Sequence, residues 1–143
     1  MRIAALLEAK GTAVATIGAD ATVADAVVAL CRQRIGALVV SSDGRHIEGI
    51  VSERDVIRGL NDLGGAIMEQ SVSSVMSTTV HTCSPDDDTD SLMSTMTEQR
   101  VRHVPVVSDG ELAGIVSIGD VVKSRIDELQ TDRDKLVEYI NAR

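Results

Sequence analysis

Two short motifs of the same form each place a serine and an aspartate three positions apart. The segment GIVSERD ends at Asp55 and the segment GIVSIGD ends at Asp120, with Ser52 and Ser117 as their serines. An ionised carboxylate accepts two hydrogen bonds, and a ribose offers two neighbouring hydroxyls to such an acceptor. The serines add a hydroxyl, and the free amides of a helix's first turn face an anion. Each motif therefore has the groups that hold a ribose beside an anion.

The same spacing has a structural interpretation. Ser-x-x-Asp resembles the capping box that starts a helix, with Asp where Glu or Gln is usual. Capping requires no ligand, and a single residue can both cap a helix and bind. One motif on its own leaves the two roles open.

The chain contains two copies of one unit. Three stretches recur at a spacing of 66 positions: residues 14–16 and 80–82, residues 33–35 and 99–101, and residues 42–44 and 108–110. The spacing then drops to 65, because Arg45 and His46 in the first copy face Glu111 alone in the second. A duplication of this kind indicates a repeat architecture, in which neighbouring units share a core.

Each copy is predicted to run strand, helix, strand, strand, helix. Apolar residues recur at helical spacing after Thr22 and again after the acidic run 86–88. Acidic residues suit the first turn of a helix, so we assign this run to a helix start rather than to a metal site. Two pairs of short β-branched runs, each joined through Asp-Gly, predict hairpins. The paired runs are residues 35–40 with 47–52, and residues 101–107 with 112–117. Helices from Asp55 and Asp120 close the two copies.

The predicted layout has four parts. Residues 1–63 form the first repeat with an N-terminal helix, residues 64–79 a linker with a short helix, residues 80–126 the second repeat, and residues 127–143 a C-terminal helix. The C-terminal stretch has a near-heptad apolar stripe that Arg133 interrupts, so it packs either on the body or on a partner subunit. The stripe consists of Val122, Ile126, Leu129, Leu136 and Ile140.

Composition excludes several functional classes. The formal charge is −8, with no Trp, no Phe and one Tyr, which argues against nucleic-acid binding by a basic surface or by aromatic stacking. No apolar run reaches the roughly 18 residues of a membrane span, and the N-terminus lacks a secretory pattern, so we expect a cytoplasmic protein. Cys31 and Cys83 are expected to be buried, reduced thiols, without a disulfide or a zinc site. No P-loop, G-x-G-x-x-G, H-E-x-x-H or nucleophile elbow occurs, so we expect no enzyme activity.

The two motifs, each preceded by an Asp-Gly hairpin and an amphipathic helix, resemble the signature of CBS (cystathionine β-synthase) domains. The chain as a whole resembles a stand-alone CBS pair. The resemblance implies an α/β fold in which two β-α-β-β-α repeats pack about a pseudo-two-fold axis as one module and often dimerise. It also implies an adenosine-containing ligand, such as AMP, ATP, NAD(H) or S-adenosylmethionine, in clefts between the repeats, and no obligatory cofactor.

The resemblance assigns unequal sites to the two copies. Arg102 and His103 stand where the family carries basic residues that reach a phosphate, whereas the first copy has Gly36 and Ala37, which offer only room and backbone.

At the start of the closing helix the difference reverses, with Arg54 in the first copy and Gly119 in the second. Thr16 and Thr82 match positions that border the adenine. Together with Ser52, Asp55, Ser117 and Asp120, these residues form the expected ligand-binding set.

The expected function is that of a regulatory adenine-nucleotide sensor, a homodimer that changes its shape or its affinity for a regulated protein when ligand binds. The alternative is a structural or protein-interaction module that uses the fold to dimerise and has vestigial clefts. Gly36 and Ala37 favour this alternative for one of the two clefts.

Overall fold

Helices and strands alternate in two similar series in the computed structural model, which describes residues 1–142. The first series contains α1 (Ile3–Lys10), β1 (Thr16–Ile17), α2 (Val23–Gln33), β2 (Ala37–Val40), β3 (Gly49–Ser52) and α3 (Glu53–Leu63). Two 3₁₀ helices, Gly64–Glu69 and Val72–Ser74, connect it to the second series. The second series contains α4 (Thr89–Gln99), β4 (His103–Ser108), β5 (Glu111–Ser117) and α5 (Ile118–Asn141).

The first repeat has a three-stranded sheet in the order β1-β2-β3. β1 runs parallel to β2, and β2 runs antiparallel to β3. Ala37, the first residue of β2, lies opposite Ser52, the last residue of β3. This register brings the start of β2 to the start of α3, where the Ser-x-x-Asp motif lies.

The second repeat has a two-stranded sheet, β4-β5, in which His103 lies opposite Ser117. Asp109 and Gly110 join the strands and both have positive φ, as a two-residue type I′ hairpin requires. The first strand expected around Thr82 is reduced to a single parallel bridge between Cys83 and Val106. The prediction of a full strand there was wrong, because only one residue of this segment pairs with β4.

Each repeat has its own apolar core, and each core is completed by the segment that precedes the other repeat. α1 contributes Ile3, Leu6 and Leu7 to the core of the second repeat, although it precedes the first. Ile67 and Val72, from the linker before the second repeat, lie in the core of the first. The layout that groups α1 with residues 1–63 therefore separates this helix from the core in which it packs.

Several element boundaries differ from the expected ones. α3 begins at Glu53 rather than at Asp55, because Ser52 is its N-cap. α5 continues without a break to Asn141, so the expected C-terminal helix of residues 127–143 is the distal part of α5, and Arg143 lies outside the described residues. The short helix expected through Val72, Val75 and Met76 is the 3₁₀ helix Val72–Ser74.

The two thiols differ in exposure. Cys31 is exposed on α2, so the expectation that it is buried was wrong. α2 buries Val23, Ala26 and Leu30 on one stripe, and position 31 falls outside that stripe. Cys83 is half-buried, and burial, with a smaller effect of Asp87, raises the pKa of its thiol to about 11.

Gly49 allows the linker to approach β3 closely. A Cβ atom at Gly49 would lie 2.8 Å from Sδ of Met76 and 2.9 Å from the carbonyl oxygen of Ser77. That carbonyl also accepts a hydrogen bond of 3.0 Å from the Ile50 amide, so it is not free to move. Any side chain at position 49 must therefore push the linker away.

We expect Gly49→Ala to lower the free energy of unfolding by about 1–3 kcal/mol, the usual cost of overpacking. Gly18→Ala is the matched control, because Gly18 has nothing within 4 Å of its Cβ position. Urea unfolding of both variants measures the difference, and equal midpoints for the two would contradict this account.

Candidate functional site

Both Ser-x-x-Asp motifs are capping boxes. The Ser52 amide donates to Oδ2 of Asp55 at 2.8 Å, and the Asp55 amide donates to Oγ of Ser52 at 3.4 Å. Ser117 and Asp120 repeat the arrangement at 2.8 and 3.1 Å. The structural interpretation of the motifs is thus confirmed. In both boxes the serine amide donates to Oδ2 of the aspartate, so Oδ1 takes no part in the capping hydrogen bonds.

The Asp55 carboxylate is buried, and its Oδ1 atom has only long contacts. The residue is 6% exposed. Oγ of Ser77 donates to Oδ1 at 3.4 Å, and Nη1 of Arg58 lies 3.6 Å from the same atom. A buried charge is normally paired at closer range. Oδ1 of Asp55 is thus available to a hydroxyl donor of a ligand.

A cleft of about 630 Å³ opens beside Asp55, within the size range of small-molecule sites. Its walls come from the start of β2, the junction of β3 and α3, the linker, and the segment that leads into β4. The lining residues of the first repeat are Gly36, Ala37, Ile50, Ser52, Glu53, Arg54, Asp55 and Arg58. The remaining lining residues are 76–81 of the linker and its continuation, and residues 100–103 of the second repeat.

The structure brings together part of the expected set. Seven of the expected residues line this cleft: Gly36, Ala37, Ser52, Arg54, Asp55, Arg102 and His103. The other five do not line it. Thr16 and Thr82 are exposed outside it, and Ser117, Gly119 and Asp120 belong to the corresponding junction of the second repeat.

Sequence reasoning missed several residues of the cleft. Arg58 lies one helical turn after Asp55, a spacing that places both side chains on one face of α3. Ser77, Thr78 and Thr79 form a run of hydroxyl side chains at the end of residues 64–79, which were predicted only as a linker. Val80 and His81 were predicted as part of the first strand of the second repeat, without a role in the site. The i, i+3 spacing was the available signal for Arg58. For residues 76–81, only the hydroxyl run pointed to a polar site.

Cationic side chains predominate around the cleft. Arg54, Arg58, Arg100 and Arg102 line it, against the carboxylates of Glu53 and Asp55. The protein as a whole carries a formal charge of −8, so this local excess of arginine is opposite in sign to the rest of the chain. Arginine is suited to binding phosphate because its planar guanidinium donates paired hydrogen bonds. The cleft thus combines a buried carboxylate with guanidinium groups of the kind suited to binding an anion.

His103 meets the first repeat at Gly36. A Cβ atom at Gly36 would lie 2.8 Å from Oε1 of Glu53 and 2.9 Å from Cε1 of His103, so only glycine allows this approach. Burial lowers the pKa of the His103 imidazole. Glu53 and Asp120 oppose this effect, whereas Lys10 and Arg102 add to it. His103 is therefore neutral at pH 7 and does not add to the charge of the arginines.

The carboxylate of Asp120 is engaged by a cation. Nζ of Lys10 donates to Oδ2 of Asp120 at 2.5 Å and to the carbonyl oxygen of Ile115 at 2.6 Å. Burial acts to raise the pKa of Asp120, but hydrogen bonds from Lys10 and Ser117 outweigh it and lower the pKa below its usual value. The two aspartates therefore have different surroundings in spite of their identical capping boxes.

The acidic run 86–88 starts a helix, as expected. Asp88 is the N-cap of α4 and accepts a hydrogen bond of 3.0 Å from the Asp90 amide. Within residues 1–142, no group of three or more His, Cys, Asp and Glu side chains is arranged to hold a metal ion. In the same part of the chain, none of the helices has the length and apolar character needed to cross a membrane.

The fold and the cleft define a pair of βαββα repeats with a polar site at their junction, and comparison with known proteins identifies the family. Residues 11–62 and 72–127 match the model of the CBS domain. The chain therefore belongs to the CBS-domain family and carries two copies of the domain in tandem. The resemblance and the mixed α/β fold class expected from the sequence are both confirmed.

Relatives with known folds or names agree with this assignment. The chain is 35% identical over 125 residues to the mitochondrial CBS domain-containing protein CBSX3 of Arabidopsis thaliana, covering 85% of this chain and 61% of that protein. The crystal structure of the CBS-domain containing protein ATU1752 from Agrobacterium tumefaciens has a TM-score of 0.85 and 44% identity, covering 87% of this chain and 99% of that one. The CBS domain protein PAE2072 from Pyrobaculum aerophilum, complexed with AMP, shares the fold at a TM-score of 0.75 and 24% identity, covering 84% and 89% of the two chains.

We expect the free energy of unfolding to fall as the pH is lowered from 7 towards 5. The pKa of His103 is lowered in the folded state, so below about pH 6.5 the unfolded chain takes up a proton that the folded chain does not. This loss of stability continues until the pH passes the pKa of the folded state. Urea unfolding across this range should give a shallower pH dependence for His103→Gln than for the wild-type protein. Identical slopes would show that His103 is not held neutral.

Proposed function

We propose that this CBS pair is a regulatory sensor that binds an adenine nucleotide in the cleft beside Asp55. The observation that carries the proposal is the combination of a buried carboxylate and four arginines around one cleft of about 630 Å³. A ribose and a phosphate in one small molecule match these two features. The Pyrobaculum protein, which has the same fold, is complexed with AMP, and this supports an adenosine-containing ligand.

Each group has a role in the proposed complex. Asp55 accepts hydrogen bonds from the ribose hydroxyls through Oδ1, while its capping bonds to Ser52 keep the carboxylate in place. Arg54 and Arg102 bind the phosphate from opposite walls. The adenine ring lies among the apolar lining residues. These are Ile50, Met76, Val80 and Val101.

The cleft lies between the two repeats, and this position links ligand binding to the arrangement of the repeats. Its walls belong to both repeats, so a bound ligand stabilises the relative position of the repeats in which all its contacts are made. A ligand shifts such an equilibrium only by its difference in affinity for the two arrangements. α5 begins in the second repeat and extends to Asn141, so it carries a change at the junction to a regulated protein. The proposal assigns no reaction to the cleft.

We also propose that the chain forms a homodimer through its exposed apolar helix faces. In α5 the apolar stripe has a heptad spacing and is exposed along the distal turns, with Leu129 at 54%, Leu136 at 59% and Ile140 at 61%. A heptad stripe is suited to pairing with a second helix of the same pattern, and a second copy of this chain supplies one. α3 also exposes apolar side chains, those of Ile57, Leu60 and Leu63.

We expect AMP to raise the melting temperature of the wild-type protein and Asp55→Asn to weaken AMP binding at least tenfold. A ligand at about 100 times its dissociation constant adds roughly 2.7 kcal/mol of stability, which a melt detects readily. Asparagine keeps the volume and an acceptor for the Ser52 amide, but it removes the charge. Asp120→Asn is the matched control, because Asp120 lies outside the cleft and should change the affinity less than twofold.

Calorimetric titration measures both affinities. A panel of AMP, ADP, ATP, NAD⁺, NADH and S-adenosylmethionine identifies the preferred ligand. A flat panel on folded protein would reject the sensor and leave the structural module with vestigial clefts. Equal losses for the two asparagine variants would exclude Asp55 as the specific ribose acceptor.

For the homodimer, sedimentation equilibrium should give about twice the chain mass of 15.2 kDa. The double variant Leu129→Glu, Leu136→Glu places charge on the stripe and should sediment as a monomer. Thr131→Glu, which adds charge on the opposite face of α5, should remain a dimer. A monomeric wild-type protein, or a double variant that still dimerises, would contradict the proposed interface.

A further inference from the structure

The segments that precede the two repeats lie at equivalent places in the structure. The segment before the second repeat reaches the place where β3 meets α3 in the first repeat, which we call the first junction. There Ser77 contacts Ile50 and Asp55. The segment before the first repeat reaches the place where β5 meets α5 in the second repeat, which we call the second junction. There Lys10 contacts the corresponding residues, Ile115 and Asp120. In each copy a different residue thus meets a strand carbonyl and a helix-start carboxylate, through Oδ1 of Asp55 in the first copy and Oδ2 of Asp120 in the second.

At the first junction the contacts are made by a small neutral residue. The Ser77 amide donates to the Ile50 carbonyl at 2.9 Å, and the Ser77 hydroxyl donates to Oδ1 of Asp55 at 3.4 Å. A serine side chain extends only two heavy atoms from the backbone. The cleft beside Asp55 therefore stays open.

At the second junction one ammonium group satisfies both acceptors. Nζ of Lys10 lies 2.6 Å from the Ile115 carbonyl oxygen and 2.5 Å from Oδ2 of Asp120. The Lys10 and Asp120 side chains are 31% and 25% exposed, so the ion pair is partly shielded from water. Leu7, one helical turn earlier, packs closely on Gly114 of β5. A Cβ atom at Gly114 would lie only 2.8 Å from Cδ2 of Leu7. The lysine is thus directed into this junction by the packing of its own helix.

We infer that Lys10 is a built-in occupant of the second junction, which keeps Asp120 from binding a ligand and limits each chain to one bound nucleotide. The identity of the ligand rests on the proposed function. A ribose hydroxyl would have to approach a carboxylate whose Oδ2 atom already holds a charged partner, and that partner is tethered to the same chain at a high effective concentration. Hydrogen bonds between charged groups are stronger than those a neutral hydroxyl makes. We therefore expect the Lys10 ammonium to stay bound to the Asp120 carboxylate when a nucleoside is present.

The charges around the second junction also determine which kind of ligand it would bind once Lys10 is removed. Gly36 and Ala37 stand where the other copy has Arg102 and His103, and Gly119 stands where the first has Arg54. These positions supply no cation, which leaves only Arg34 and Lys123, the counterparts of Arg100 and Arg58, as cations at equivalent positions. Once Lys10 is removed, the free Asp120 carboxylate repels an anion and accepts hydroxyls, so adenosine is the appropriate probe.

The test compares the number of adenosine molecules bound per chain in the wild-type protein and in Lys10→Ala, by calorimetric titration. We expect the variant to bind one more adenosine than the wild-type protein. Lys135→Ala is the matched control, because it removes a lysine from the exposed distal part of α5 and should leave the stoichiometry unchanged. Adding Asp120→Asn to Lys10→Ala should abolish the extra site, whereas adding Asp55→Asn should spare it. A purely structural ion pair would change the melting temperature and leave the stoichiometry alone.

The difference in stoichiometry decides the inference separately from the proposed function. If the wild-type protein binds no adenosine and the variant binds one, the role of Lys10 holds and the cleft beside Asp55 is not a site. If both bind the same number while folded, or if the wild-type protein already binds two, Lys10 is not an occupant. Melting curves establish that each variant is folded. Lys10→Ser, which also removes the ammonium and the long stem, gives a second measurement with the same expected result.

Discussion

The structure depends on an exchange of segments between the two repeats. α1 precedes the first repeat but buries Ile3, Leu6 and Leu7 in the core of the second, while the linker buries Ile67 and Val72 in the core of the first. Each fully buried aliphatic side chain of this kind stabilises the fold by about 1.5–3 kcal/mol relative to its exposed state. Neither repeat can complete its core without chain that lies beyond its own boundary. The pair therefore forms one module, and the junctions between its halves are held in place.

The same exchange creates the two junctions and makes them different. Capping boxes place Asp55 and Asp120 at identical positions, with one carboxylate oxygen bound to the serine amide at 2.8 Å in both copies. The exchanged segments then deliver Ser77 to one carboxylate and Lys10 to the other. One junction keeps a cleft lined by arginines, and the other holds an ion pair. The same motif therefore lies beside an open cleft in one copy and in an ion pair in the other, because different residues reach it from outside the repeat.

Much of the fold could be predicted from the sequence because its signals are local. The internal repeat, the two hairpins and the Ser-x-x-Asp capping boxes follow from residue spacing, although the first residues of the closing helices were placed two positions too late. The predicted strand at Thr82 and the burial of Cys31 were wrong, because both depend on which neighbour packs against the segment.

The site was predictable to a similar degree. Residues that belong to the repeated motif or to the start of a strand were found, among them Asp55 and Arg102. Residues 76–81 were not, because their place in the cleft follows from the exchange of segments and not from any motif of their own. The pairing of Lys10 with Asp120 joins residues 110 positions apart, and no local pattern indicates it.

The account's central claim is that one junction of the pair binds an adenine nucleotide and the other does not. The most direct measurement is a titration of isotope-labelled wild-type protein with AMP, followed through the NMR signals of the backbone amides. The account predicts saturable shifts in residues 52–58, 76–81 and 100–103, with residues 115–120 little changed. Shifts of equal size at both junctions, or none at saturating AMP, would contradict it.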